Sequence, residues 1–246
     1  MWETGREWRL WRGKFQGALE TIPDDYYDCI FTDPPFADET HDGALTTRGD
    51  DDEAKLIDFD SLTNDEMREH MELLARVCRR WWVATMEWRH VAALEENPPA
   101  GWRFVRMGVW VKPTYKPQIS GDRPATGWEA IGIFHRDKGP KSPRRMHWNG
   151  GGKSSVYVGN KENGALYPTQ KPLWLPKRFI DDFADEGGRI FDPYGGGGTT
   201  GVAALLKRHP VDVCEVKPNA QEVILKRLRE CQPEGTEAVL LQRSMF

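Results

Sequence analysis

A chain of 246 residues with 39% hydrophobic and 29% charged residues and a mean hydropathy of -0.66 can bury a core, which excludes a coiled coil, a collagen or a disordered tail. No run approaches the roughly 18–20 apolar residues that span a bilayer, and Met1-Trp2-Glu3-Thr4-Gly5-Arg6 has no apolar signal core, so a cytoplasmic location is expected. The net charge of -4 hides a division, because Gly101 to Arg178 holds fifteen Lys or Arg against four Asp or Glu, +11, leaving -15 for the rest.

Tyr27 to Thr32 is an apolar run stopped by Asp33-Pro34-Pro35; two prolines forbid further pairing, so it reads as a buried strand with Asp33 at its carboxyl end. Residues 37–60 are polar, with Asp50-Asp51-Asp52-Glu53 among them, and read as a mobile loop. Thr63-Asn64-Asp65-Glu66 is a capping-box pattern, and Met67, Met71, Leu74 and Cys78 follow at helical spacing. Trp81 to Met86, Trp102 to Val111 and Trp128 to His135 alternate as strands. Between and after them lie two irregular basic segments, 112–127 and 136–166, which hold no convincing period. A long loop inside a folded domain usually has a function or is flexible.

Beyond these the chain becomes regular. Leu173 to Ala184 is an amphipathic helix that tolerates Pro176 only in its first turn, and Gly188 to Asp192 is a strand. Thr199 to Lys207 reads as a helix, Val211 to Val216 as a strand, Asn219 to Cys231 as a helix and Glu237 to Gln242 as a last strand. Alternating strands and helices predict one doubly wound, mostly parallel α/β sheet over residues 1–246. Cys29, Cys78, Cys214 and Cys231 are scattered without a C-x-x-C pair and read as free thiols. No histidine pair has ligand spacing, so no metal is expected.

Two constellations carry chemistry. Phe191-Asp192-Pro193-Tyr194-Gly195-Gly196-Gly197-Gly198-Thr199-Thr200-Gly201 joins a strand to a helix. Glycines there let a ligand approach the backbone, and the N–H groups opening the helix favour negative charge. Glu215 ends the next strand, at the spacing where an acid receives a ribose diol in nucleoside-binding folds; a dinucleotide would be served equally well. In Asp33-Pro34-Pro35-Phe36 the carboxylate and the Pro34 carbonyl can both accept protons from one planar amino group, and Phe36 offers a stacking face. The basic stretch interleaves Trp102, Trp110, Tyr115, Trp128, Trp148, Tyr157 and Tyr167, a mixture suited to phosphate contact and base stacking as well as to an ordinary core.

Asp33-Pro34-Pro35-Phe36, then Tyr167-Pro168-Thr169-Gln170-Lys171-Pro172, then the glycine loop resemble, in this order, the β-class of DNA amino-methyltransferases. In that class the catalytic D-P-P-Y motif precedes the cofactor loop. The likeness runs from about Trp8 to Leu228, and Trp148-Asn149-Gly150-Gly151-Gly152 is similar to a segment of the compact phage and prophage enzymes.

The resemblance implies a Rossmann-like methyltransferase sheet, S-adenosylmethionine as cofactor and DNA as partner, with no membrane. It places Asp33, Pro34, Pro35 and Phe36 at the target base, Thr169, Gln170 and Lys171 at the methionine end, Asp192, Tyr194, Gly195, Gly197, Thr199 and Thr200 around the cofactor, and Glu215 on its ribose. Adenine N6 is the expected acceptor because the motif begins with Asp; cytosine N4 is the alternative. The segments 112–127 and 136–166 are the expected target-recognition loops, with Arg144, Arg145, Trp148 and Lys153 leading. Homodimers are common among relatives, and restriction-modification or phage self-protection are the implied settings. Phe36 stands where Tyr is usual, and Lys14 where many relatives carry Asp. Two rival readings are a catalytically silent binding module and a nicotinamide-dependent dehydrogenase; the dehydrogenase leaves Asp33-Pro34-Pro35-Phe36 and Thr169-Gln170-Lys171-Pro172 without a role.

Overall fold

The computed structural model describes residues 1–35, 62–115, 121–139, 146–162, 164, 166–167 and 170–231. Strands β1 (Trp2–Thr4), β2 (Trp8–Arg12), β3 (Tyr27–Thr32), β4 (Cys78–Met86), β5 (Trp102–Val111), β6 (Trp128–Arg136), β7 (Val156–Val158), β8 (Ile190–Asp192) and β9 (Val211–Glu215) form one sheet in the order β1-β2-β9-β8-β3-β4-β6-β5-β7. The segment β2-β9-β8-β3-β4 is parallel throughout. β6 turns antiparallel between β4 and β5, β1 is antiparallel to β2, and β7 closes the far edge in parallel with β5. The sheet is thus mixed, with the expected parallel order confined to its middle and one edge.

Both faces are covered, and the period of two along each strand decides which residue goes where. In β3, Cys29 and Phe31 enter a core with Phe179, Ile180 and Phe183, while Ile30 enters the opposite core with Met67, Met71 and Trp82. The first core is roofed by α4 (Trp174–Phe183), α5 (Thr199–Leu206) and α6 (Pro218–Glu230), which contribute Leu175, Ala203, Ile224 and Leu228. The second is roofed by α1 (Phe15–Leu19), α2 (Asn64–Ala75) and α3 (Trp88–Glu96), through Phe15, Leu74, Val91 and Leu94. α2 begins with the expected capping box, the Thr63 hydroxyl accepting from Glu66 N at 3.2 Å and Glu66 accepting from Thr63 N at 2.8 Å. Cys78 is not on that helix but opens β4, because the chain leaves α2 after Ala75. Cys29, Cys78 and Cys214 are buried free thiols, and Cys231 is partly buried.

Four of the aromatic residues in the basic stretch, Trp102, Trp110, Tyr157 and Tyr167, are buried, so they pack the protein rather than wait for bases. Tyr115 and Trp128 remain exposed. The strand expected at Glu237–Gln242 and the loop expected at 37–60 lie outside the described residues.

The site is positioned by one feature of this order. β3 and β8 are parallel neighbours, pairing Cys29 with Ile190 and Ile30 with Phe191. From β3 the chain proceeds to β4 on one side, and from β8 to β9 on the other. The loops leaving their carboxyl ends therefore diverge and open a crevice, which is where ligands bind in open α/β sheets.

Candidate active site

The crevice is a cavity of about 290 Å³. Its walls include Asp33, Pro34 and Pro35 after β3, Asp192 to Gly197, Thr199 and Thr200 after β8, Glu215 at the end of β9, and Gln170 and Lys171 ahead of α4. Four segments of the chain, separated by up to 182 residues from Asp33 to Glu215, thus face one space. Thr32 ties two of them together, its hydroxyl donating to Asp192 Oδ1 at 2.7 Å.

The glycine loop is shaped by what surrounds it. A Cβ on Gly195 would lie 2.4 Å from Val213 Cγ1, so only glycine lets the loop lie against β9. Gly196 and Gly198 take positive φ, +49° and +76°, and Gly198 then starts α5. Arg227 of α6 donates to the Gly197 carbonyl and reaches Thr199 Oγ1 at 3.3 Å, pinning the loop from its outer side. Tyr194 is held from the other core: His70 Nδ1 lies 2.6 Å from its hydroxyl, and Gln16 Nε2 lies 2.9 Å from His70 Nε2. Burial lowers the pKa of His70, keeping it a neutral link in this chain.

Glu215 points into the same loop. Its Oε2 accepts from Gly196 N at 2.7 Å and its Oε1 from Lys217 N at 2.8 Å. Burial raises its pKa, and these backbone N–H groups work in the opposite direction by favouring the anion. Each oxygen keeps a second lone pair toward the cavity, so the group can receive a vicinal diol. Asp192 is almost wholly buried, and burial pushes its carboxyl up to about 7 although Thr32 and Tyr194 N donate to it. Lys14, at the turn into α1, stands near enough to Glu66 and His70 to affect both.

At the other wall Asp33 is held by two donors. Thr85 Oγ1 donates to Oδ1 at 2.5 Å, and Lys171 Nζ lies 2.8 Å from Oδ2. Burial raises the Asp33 pKa and Glu129 adds to that, while Lys171 and Thr85 oppose it. Glu129, near the start of β6, was not singled out by sequence reasoning. Its Oε2 lies 3.2 Å from Lys171 Nζ and its Oε1 2.5 Å from Lys112 Nζ. Burial penalises the Glu129 anion, but the two lysines prevail and hold its carboxyl down at about 2. The available signal was one of only four acids in a stretch of +11, set in an otherwise apolar strand. Thr85 and Lys161 also line the cavity without having been anticipated.

Phe36, Thr169, Arg144 and Arg145 lie outside the described residues. Gln170 lines the cavity and its Oε1 accepts from Leu166 N at 3.2 Å. Trp148 packs on Phe183, ring centroids 5.7 Å apart, and donates to the Gly151 carbonyl at 3.0 Å. Lys153 Nζ lies 3.5 Å from Asp182 Oδ1. Neither Trp148 nor Lys153 reaches the cavity. Among the described residues no group of His, Cys, Asp and Glu could hold a metal ion, and no helix is long and apolar enough to cross a membrane.

Fold and cavity together define an α/β protein in which a glycine-rich loop and the carboxylates at three strand ends share one crevice. The family model described as DNA methylase, of the N6 and N4 type, matches residues 27–226, and the chain belongs to that family. It is 26% identical over 250 residues to the type II methyltransferase M.HinfI of Haemophilus influenzae, covering 91% of this chain and 68% of that protein. M.Cfr9I of Citrobacter freundii, also a type II methyltransferase, is 26% identical over 168 residues, and the match spans about half of its length, 51%. Among solved structures, the M1.HpyAVI-SAM complex superimposes with a TM-score of 0.65 at 20% identity, over 90% of this chain and 98% of that one. The cytosine-N4-specific PvuII DNA methyltransferase gives 0.67 at 15% identity, over 97% and 92%. These two likenesses concern the fold.

Proposed function

We propose that the chain transfers a methyl group from S-adenosylmethionine to the N6 amino group of adenine in DNA, as a permuted β-class enzyme of the phage type with a D-P-P-F variant of the catalytic motif. The observation that carries this reading is the single cavity lined by Asp33-Pro34-Pro35 on one wall and by the glycine loop and Glu215 on the other. The residues fit the cofactor: glycine at 195 lets the loop lie back against β9, where a Cβ would meet Val213, and Glu215 offers an acceptor pair beside it. When bound, the cofactor supplies an electrophilic methyl group on a sulfonium.

The protein's own groups bind and orient. Glu215 receives the ribose hydroxyls, and the loop holding Asp192, Tyr194, Gly195, Gly197, Thr199 and Thr200 encloses the methionine portion together with Thr169, Gln170 and Lys171. A base inside a duplex cannot reach this crevice, so the target nucleotide is flipped out. Asp33 and the Pro34 carbonyl accept hydrogen bonds from the two amino N–H groups, one of whose protons is released to solvent once the N–C bond has formed, while Pro35 stiffens the turn and Phe36 stacks on the base. Alignment of the nitrogen lone pair, rather than an activated nucleophile, supplies most of the rate, and transfer is direct. The basic segments 112–127 and 136–166 meet the DNA, with Arg144, Arg145 and Lys153 in contact with phosphates and Trp148 bracing the loop. Cytoplasmic action and a homodimer complete the reading.

The test is incubation with tritiated S-adenosylmethionine and unmethylated DNA, then nucleoside digestion and mass spectrometry. N6-methyldeoxyadenosine is expected. N4-methyldeoxycytidine would overturn the choice of base, and no methylated nucleoside with cofactor binding intact would overturn the activity.

A further inference from the structure

Asp33 faces a difficulty that the transfer reaction must resolve. Its Oδ1 takes the Thr85 hydroxyl at 2.5 Å and its Oδ2 the Lys171 ammonium at 2.8 Å, so each oxygen already holds one donor, and Oδ2 a cationic one, before any base arrives. An ammonium on Oδ2 competes with an amino N–H for the lone pairs of that oxygen. It also repels the positive charge that grows on the amino nitrogen as a methyl group is transferred to it. Lys171 is therefore an internal competitor of the substrate.

A second dock for it is present. Glu129 Oε2 stands 3.2 Å from the same Nζ, and its other oxygen is fixed at 2.5 Å by Lys112, whose nitrogen in turn lies 4.9 Å from the Trp110 ring centroid. An ammonium has three donors and turns about a flexible stem, so passing from one carboxylate to the other needs only a small rotation and no backbone movement. A Glu129 serving merely as the partner of Lys112 would have no reason to turn its second oxygen toward Lys171.

We infer that Glu129 is a positioning residue: it shares Lys171 with Asp33 and takes the ammonium over when the target amino group arrives, freeing Asp33 Oδ2 to accept that group. This rests on the proposed transfer to an exocyclic amino group. The charged and polar groups facing Asp33 are Thr85 of β4, Glu129 of β6, Lys161 after β7, Lys171 ahead of α4 and Asp192 of β8. Of these, Glu129 is the carboxylate that touches both Lys112 and Lys171.

The experiment compares wild type, Glu129→Gln and Glu129→Asp in single-turnover methyl transfer across pH, with S-adenosylhomocysteine affinity by calorimetry. Glu129→Gln removes the charge that draws Lys171 away, so transfer should fall by at least about tenfold while the dissociation constant stays within about twofold. Loss of the neighbouring anion lowers the Asp33 pKa, so the acid limb of the rate profile should move to lower pH, a shift that simple loosening would not produce. Glu129→Asp keeps the charge and should recover most of the rate. Transfer at the wild-type rate in Glu129→Gln, or an affinity loss matching the rate loss, would overturn the inference.

Should Glu129→Gln not fold, the wild-type protein decides. In crystals with S-adenosylhomocysteine and a duplex carrying the methylated site, Lys171 Nζ should lie about 3 Å from Glu129 and beyond about 4 Å from Asp33. Lys171 still on Asp33 with the base bound would refute the exchange. If wild type methylates cytosine N4, the adenine reading fails and the Glu129 comparison is run unchanged; if it methylates no DNA, both fail.

Discussion

Replacing Glu215 by Gln separates the two tasks its carboxylate performs. In the free protein Oε1 and Oε2 accept from Lys217 N and Gly196 N at 2.8 and 2.7 Å. An amide keeps one acceptor and turns its NH2 toward one of these N–H groups, leaving a buried donor unmatched, which costs about 1–3 kcal/mol of folding stability. That cost is present with or without cofactor and does not by itself alter affinity. Toward a ribose diol the carboxylate offers two charge-assisted hydrogen bonds, and the amide can keep only one. Loss of one such bond is worth about 1.5–3 kcal/mol, an increase of about 10- to 150-fold in the dissociation constant. Calorimetry with S-adenosylhomocysteine reads the second quantity and urea denaturation the first. A stability loss of the stated size with a dissociation constant within about twofold of wild type would show that the ribose is bound elsewhere.

Asp33→Asn removes the anion facing the target nitrogen but not the cofactor loop, so single-turnover transfer should fall by at least about 100-fold with cofactor affinity kept; normal turnover would remove Asp33 from the chemistry. Gly195→Ala places a Cβ 2.4 Å from Val213 Cγ1 and should cost about 1–3 kcal/mol by overpacking, read in urea. Gly196→Ala meets nothing within 4 Å and carries only the left-handed backbone cost of about 1–2 kcal/mol; no measurable loss at Gly195, or a loss at Gly196 well above that cost, would contradict this loop geometry. Asp192, pushed up to about 7 by burial, binds its proton more tightly folded than unfolded. Its contribution is therefore full below the unfolded pKa of about 4 and is lost as pH rises toward 7, at roughly 1.4 kcal/mol per unit of elevation. Melting temperatures across that range should fall in wild type and fall less in Asp192→Asn; parallel curves would exclude Asp192 as the source.

The strands legible in the sequence were those buried on both faces and those long enough, as β5 and β6 are, to show alternation. β3 and β9 read as largely apolar runs, broken by Asp28 in one and Asp212 in the other, because helices cover them above and below, and every residue of each is buried. β2 escaped notice because Arg9 and Arg12 interrupt Trp8 and Leu10; Arg9 is in fact drawn onto the buried Asp212 carboxylate. β7 has three residues, too few to show a period, and α3 nine. The antiparallel placement of β6 between β4 and β5 could not be read, since alternation is the same in both directions. The motif residues were legible because their chemistry is tied to local chain shape. Glu129 was not, because its role comes from Lys112 and Lys171 converging on it from other segments.

That Asp33-Pro34-Pro35 precedes the glycine loop in the chain causes no difficulty for the fold, since what the site needs is adjacency of β3 and β8. Asp33 precedes Asp192 by 159 positions, yet the Thr32 hydroxyl on Asp192 joins the two strand ends directly. A chain that entered the sheet elsewhere would build the same crevice provided these two strands were parallel neighbours at the switch point. Such closeness also couples the two walls electrostatically: Asp33 adds to the elevation of Asp192, and Lys171 limits how much negative charge the cavity carries. A cationic cofactor and a neutral amino group must both be accommodated within about 290 Å³. Lys161, Lys171 and Lys217 stand against four carboxylates in the cavity lining, Asp33, Glu129, Asp192 and Glu215, and burial pushes Asp192 up to about 7, so the site carries at most one net negative charge, which suits a sulfonium.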